Sequence, residues 1–144
     1  MYFEEIPMID LTRTDEFSDL ATTQEIAERI KEKTLNQLEE NKDFIERYPN
    51  PIYAAMRLEF LAESENQEQW ELLTDLYYEK KLVLHLMETQ ERAIRMMRVE
   101  KPRMMEAWGL TEEMKTEKPQ EYEGQMNNLI SSLKEIIIKE VVEA

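Results

Sequence analysis

Cysteine is absent from this chain of 144 residues. That excludes disulfides and thiolate metal sites and fits an intracellular protein. Glycine occurs twice, at Gly109 and Gly124, so no glycine-rich phosphate loop can be built. Histidine occurs once. His85 has Leu82 where the Glu-x-x-His motif of a di-iron bundle needs its glutamate, and it reads instead as a residue that packs or hydrogen-bonds at the edge of a core. Ser18, Ser64, Ser131 and Ser132 stand in no nucleophile-elbow motif. No stretch approaches the ~18 apolar residues of a membrane span, and Tyr2, Phe3, Glu4 and Glu5 are unlike the basic start of a signal peptide. Acid pairs are so common here that they carry no catalytic signal. The expectation is a cytoplasmic non-enzyme with no membrane association, no catalytic residue, no metal and no cofactor.

What is present is helix-forming side chain and negative charge. The 32 acids against 18 bases leave −14, beyond the magnitude of roughly 2–8 usual for a small domain. With two glycines and five prolines there is little room for a loop-rich β fold. Glu, Lys, Leu, Met, Gln and Ala dominate, and all favour helix. The fold class read from this is all-α: a compact bundle of five to six helices, with a kinked long helix and a long C-terminal helix. An irregular acidic arm over residues 1–21 precedes a single helical domain over 22–144.

Helix signals punctuate that domain. Thr22 caps the first helix with Glu25 reaching back, and Ile26, Ile30, Leu38 and Ile45 form its apolar face as far as Tyr48. Two prolines around Asn50 then make a corner. Pro51 suits the first position of a second helix, with Ile52, Ala55, Met56, Phe60 and Ala62 on its inner face. Ser64 with Gln67 resembles another capping box, ahead of an inner stripe of Trp70, Leu73, Leu76 and Tyr77. A long helix over 80–107 follows, with Leu82, Leu86, Ala93, Met96, Met97 and Met104 inward and Pro102 expected to kink or break it. Gly109 is placed to end it, and Thr111 caps a short helix reaching Glu117. Trp108, at this junction, either closes the core or stands exposed as an anchor. Pro119 opens the last helix, whose stripe of Tyr122, Met126, Leu129, Leu133 and Ile136 predicts burial along one face. Asn127 and Asn128 fall on its flanks and are expected to hydrogen-bond toward the Thr111 turn.

The charge is unevenly distributed. Residues 79–108 carry +2, while every other segment is negative. Such a field repels nucleic-acid phosphate and attracts a basic surface. Carboxylates three or four apart on a helix lie about 5–6 Å from one another, so a row of them resembles a phosphate backbone. Glu65, Glu68, Glu71 and Asp75 form the clearest row, and Glu112, Glu113 and Glu117 lead a second cluster continued by Glu121 and Glu123. These are the candidate partner-binding residues, set against the ordinary reading of a solvated acidic face. Arg92, Arg95, Arg98 and Arg103 pose the opposite question, and are expected to pair with Glu88, Glu91 and Glu100 on the same helix and with acidic neighbours.

Gly109-Leu110-Thr111-Glu112-Glu113-Met114-Lys115 is similar to the Gly-Val-Thr-Glu-Gln-Leu-Lys element of TnpV, a family of small proteins encoded on transposons of gut-type Gram-positive bacteria. Met126-Asn127-Asn128 matches its Met-Asn-Asn element, Glu135-Ile136 its Glu-Ile, and Pro102 holds a familiar place. The resemblance covers residues 56–144. It implies a helical body and a mobile-element origin, with no catalytic residues to carry over. Less acidic chains with more basic ends are what the family implies, and this sequence departs from that. The functional expectation is a non-enzymatic acidic protein that binds and inhibits or modulates a basic nucleic-acid-handling protein or nuclease, anti-CRISPR-like, as a nucleic-acid mimic. It would not bind nucleic acid directly. The alternative is a transposon accessory protein working with a transposase or in regulation, as a homodimer through its last helix or in contact with DNA through Arg92, Arg95 and Arg98.

Overall fold

A computed structural model describes residues 22–63 and 65–144, and these are helical with no strand among them. Seven α-helices follow in order: α1 (Thr23–Glu40), α2 (Lys42–Arg47), α3 (Ile52–Leu61), α4 (Gln67–Tyr78), α5 (Leu82–Ala107), α6 (Glu112–Glu117) and α7 (Pro119–Ile137), closed by a π-helical turn (Ile138–Val142). The acidic arm and Ser64 lie outside the described residues. The chain divides into two compact units, one ending at Glu88 and the other starting at Thr89, so the boundary falls inside α5.

In the first unit, Thr22 accepts from the Glu25 amide at 3.1 Å, as its position predicts. The helix expected to run to Tyr48 breaks at Asn41. The Asn41 backbone is extended, and its side-chain oxygen accepts from the Phe44 amide at 3.1 Å to cap α2. Asparagine offers the backbone this alternative to helical bonding, while the apolar periodicity on either side hides the break. Pro51 serves as the N-cap of α3 rather than its first residue. Asn66 caps α4 by accepting from the Gln69 amide.

The core of this unit gathers Ile26, Ile30 and Leu38 from α1, Phe44 from α2, Leu58 and Leu61 from α3, Trp70 and Leu73 from α4, and Leu82 and Leu86 from α5. The α3 face differs from expectation. Tyr53, Ala54, Arg57, Leu58 and Leu61 are buried, whereas Ile52 is 51% exposed and Phe60 is half-buried. Alpha3 is apolar at nearly every position, so periodicity could not select its inner side; packing did.

In the second unit, α5 continues through Pro102 to Ala107, so no break occurs there. Proline removes one backbone donor, and the flanking turns carry the helix past it. Gly109, at φ 70°, ends α5 in a Schellman motif: the Leu110 amide donates to Met105 O at 2.9 Å and the Gly109 amide to Glu106 O at 3.1 Å. Thr111 caps α6 through the Met114 amide at 3.1 Å, and Pro119 opens α7. Leu129, Leu133, Ile137 and Val141 are buried along the last helix and its π turn. Ile136, placed inward by the sequence pattern, is 39% exposed. The buried residues step by four, and one step of three to Ile136 falls off that line.

Candidate functional site

The α4 carboxylates stand on a helix held from within by Trp70 and Leu73. Glu68 and Asp75 are exposed on it. Glu71 is half-buried and accepts from Gln67 Nε2 at 2.9 Å, so its carboxylate is already engaged. Glu65 lies in the turn before the Asn66 cap, exposed but off the helix. The row expected from spacing therefore reduces to Glu68, Glu71 and Asp75 on one element, with Glu65 beside it. Glu68 is in the first turn, where a negative side chain meets the positive end of the helix dipole. That gives it a local stabilising role as well as an outward one.

The second cluster sits in the other unit. Glu112, Glu113 and Glu117 are all exposed on α6, a helix with no buried residue. Glu112 and Glu113 occupy its first turn and favour the same dipole. Glu121 and Glu123 are exposed at the start of α7, Glu121 facing Lys118 at 4.0 Å. Asn127 and Asn128 are exposed as well, with no hydrogen bond to the Thr111 turn among the described residues.

Of the four α5 arginines, Arg103 pairs as expected and the other three do not. Arg92, Arg95 and Arg98 are exposed on α5 and form no ion pair with Glu88, Glu91 or Glu100 among the described residues; the pair present there is Arg103 to Glu100 at 3.2 Å. Exposed arginines keep full hydration, so an intrahelical pair offers them little.

His85 is half-buried, as the sequence suggests. Its Nε2 accepts from Arg57 Nε at 3.1 Å, which places the ring proton on Nδ1. Arg57 gave no sequence signal of its own. It is 6% exposed, with its guanidinium 5.7 Å from the centre of the Phe60 ring. A basic residue between Met56 and Leu58 on an apolar helix was the clue available. Trp108 is 39% exposed, so its ring does not close the core.

No group of three or more His, Asp or Glu side chains that could hold a metal ion occurs among the described residues. No helix among them is long and apolar enough to cross a membrane.

The family described as transposon-encoded protein TnpV matches residues 38–142, most of the chain. The chain belongs to the TnpV family. The match starts ahead of Met56, so it takes in the end of α1 and all of α2 as well as the glycine–threonine junction before α6. Both acidic rows and the α5 arginines of this TnpV-family protein fall inside it. No curated protein and no solved structure matches the chain.

Proposed function

We propose that this chain is a non-enzymatic transposon accessory protein that binds a basic nucleic-acid-handling protein, a transposase being the first choice, through its exposed carboxylates. The observation behind the reading is α6. It lies within the family match, buries no residue, and presents Glu112, Glu113 and Glu117 to solvent. Carboxylates that support no core are available to a partner. A row of them offers the charge spacing of a phosphate backbone, and the net −14 speeds encounter with a basic surface. A CRISPR effector nuclease has the same basic chemistry, and an anti-CRISPR mimic would use the same face.

A second reading has its own support. Arg92, Arg95 and Arg98 stand exposed on α5 without ion-pair partners among the described residues, and in that reading they contact DNA during regulation of the element.

The test is capture on the tagged full chain, washed at low and then high salt. One lysate contains the element's transposase and another contains CRISPR effector complexes. Retention of the transposase at low salt and its release at high salt supports the accessory reading. Retention of the effector alone moves the partner to host defence. Changing Glu112, Glu113 and Glu117 together to Lys is expected to slow association about tenfold or more; the parallel change of Glu68, Glu71 and Asp75 tests the other row. An unchanged association rate in both variants rejects the carboxylate surface, and a DNA mobility shift lost on changing the three arginines to Gln supports the second reading.

A further inference from the structure

A cavity of about 450 Å³ opens in the first unit, lined by Lys33 and Gln37 of α1, Tyr77 and Tyr78 of α4, and Lys80, with Leu82 and Val83 as its apolar part. This is the size range of small-molecule sites. In a chain where acids outnumber bases 32 to 18, two lysines and no carboxylate line it among the described residues. The surface hollow along α1 contrasts with it, being lined by Glu25, Glu28 and Glu32 with Arg29 as its one base among the described residues. The tyrosine rings meet edge to face, centroids 5.2 Å apart at 79°, and form an aromatic wall.

Lys80 supplies an independent observation. It has φ 61°, in the left-handed region that glycine takes freely. It ends α4 in a Schellman motif, with the Lys81 amide donating to Leu76 O at 2.8 Å and the Lys80 amide to Tyr77 O at 3.1 Å. Glycine would serve this backbone better. The strained residue is a lysine whose side chain lines a cavity, and strain of this kind concentrates at binding sites.

We infer that this cavity binds a small anion carrying a planar ring. The ammonium groups of Lys33 and Lys80 meet the anionic group. The tyrosine wall, with Leu82 and Val83, takes the ring, and the Gln37 amide is placed to orient it. This site is independent of the carboxylate surface proposed above and stands if that surface fails.

The test is an NMR titration of the isotope-labelled full chain with three probes: AMP, which has both ring and anion, adenosine and inorganic phosphate. Expected are saturable shifts for AMP at the amides of Lys33, Gln37, Tyr77, Tyr78 and Lys80, with binding at least about tenfold tighter than for either other probe. Lys80→Gly is expected to weaken AMP about tenfold while raising the melting temperature, which separates lost binding from lost fold. Lys33→Gln should weaken it similarly. No saturable shift with AMP, equal binding of AMP and phosphate, or unchanged affinity in both variants would each overturn the inference.

Discussion

The two compact units each end one helix in the same way with different residues. In the first, α4 closes in a Schellman motif on Lys80; in the second, α5 closes in one on Gly109. The backbone bonds correspond one for one, and both residues have φ between 60° and 70° or at its limits. The next residue differs as well. Leu110 is buried after Gly109, the apolar contact that usually accompanies the motif, whereas exposed Lys81 follows Lys80 and pairs with Glu79 at 3.2 Å. One helix end is built to fold at least strain; the other accepts strain and keeps a charged side chain at a cavity.

The units also differ in how they use large side chains. The first buries Trp70 to 1% exposure among leucines and isoleucines, while in the second Trp108 is 39% exposed and Met96, Met97, Met104 and Met105 are half-buried. Half-buried methionine is soft and adaptable. The second unit thus sets soft, half-buried side chains ahead of a helix that buries nothing.

Substitution of the two tryptophans should widen this contrast most. Trp70→Ala is expected to cost about 3–5 kcal/mol. Trp108→Ala is expected to cost under about 1 kcal/mol, since a surface position away from the core moves stability little. Denaturant melts check both, and an equal loss would erase the distinction. The two helix ends come next. Gly109→Ala should lose about 1 kcal/mol from strain alone, because an added Cβ meets nothing within 4 Å. Lys80→Gly should gain about 0.5–1 kcal/mol. If both changes destabilise, the left-handed strain at Lys80 is not what distinguishes the two ends.

The smallest effect is confined to alkaline pH and to the first unit. Burial raises the Tyr53 hydroxyl above its ordinary 10.0. Lys31 is raised above 10.5: burial opposes this, but hydrogen bonds and charge from Glu59 and Glu28 outweigh it. Both groups hold their protons more tightly when folded. Their contributions are therefore complete below pH 10 and are lost as pH rises through the folded values. Tyr53→Phe should flatten the decline in stability above pH 10, measured by melts across that range; an unchanged decline would show that the buried hydroxyl does not drive it.

Part of the candidate site was legible in the residues. Thr22, Thr111, Gly109 and Pro119 mark helix ends by local chemistry, and each does so in the structure because capping depends on a few adjacent atoms. The exposure of Glu68, Asp75, Glu112, Glu113 and Glu117 follows from charge, which resists burial. Illegible were the engagement of Glu71 by Gln67, the absence of ion pairs at Arg92, Arg95 and Arg98 among the described residues, and the burial of Arg57 against His85. Each depends on which of several sterically allowed neighbours a side chain meets.

The sequence by itself determined that this is a helical, acidic TnpV-family chain and where most of its helices begin and end, because propensity, caps and charge act over a few residues. Tertiary structure alone decided which side of α3 faces inward, that Asn41 divides the first helix, and that Lys33 of α1 lines one cavity with Lys80 beyond α4. Those outcomes require surfaces distant in the chain to compete for the same interior, and periodicity within one segment holds no record of that competition.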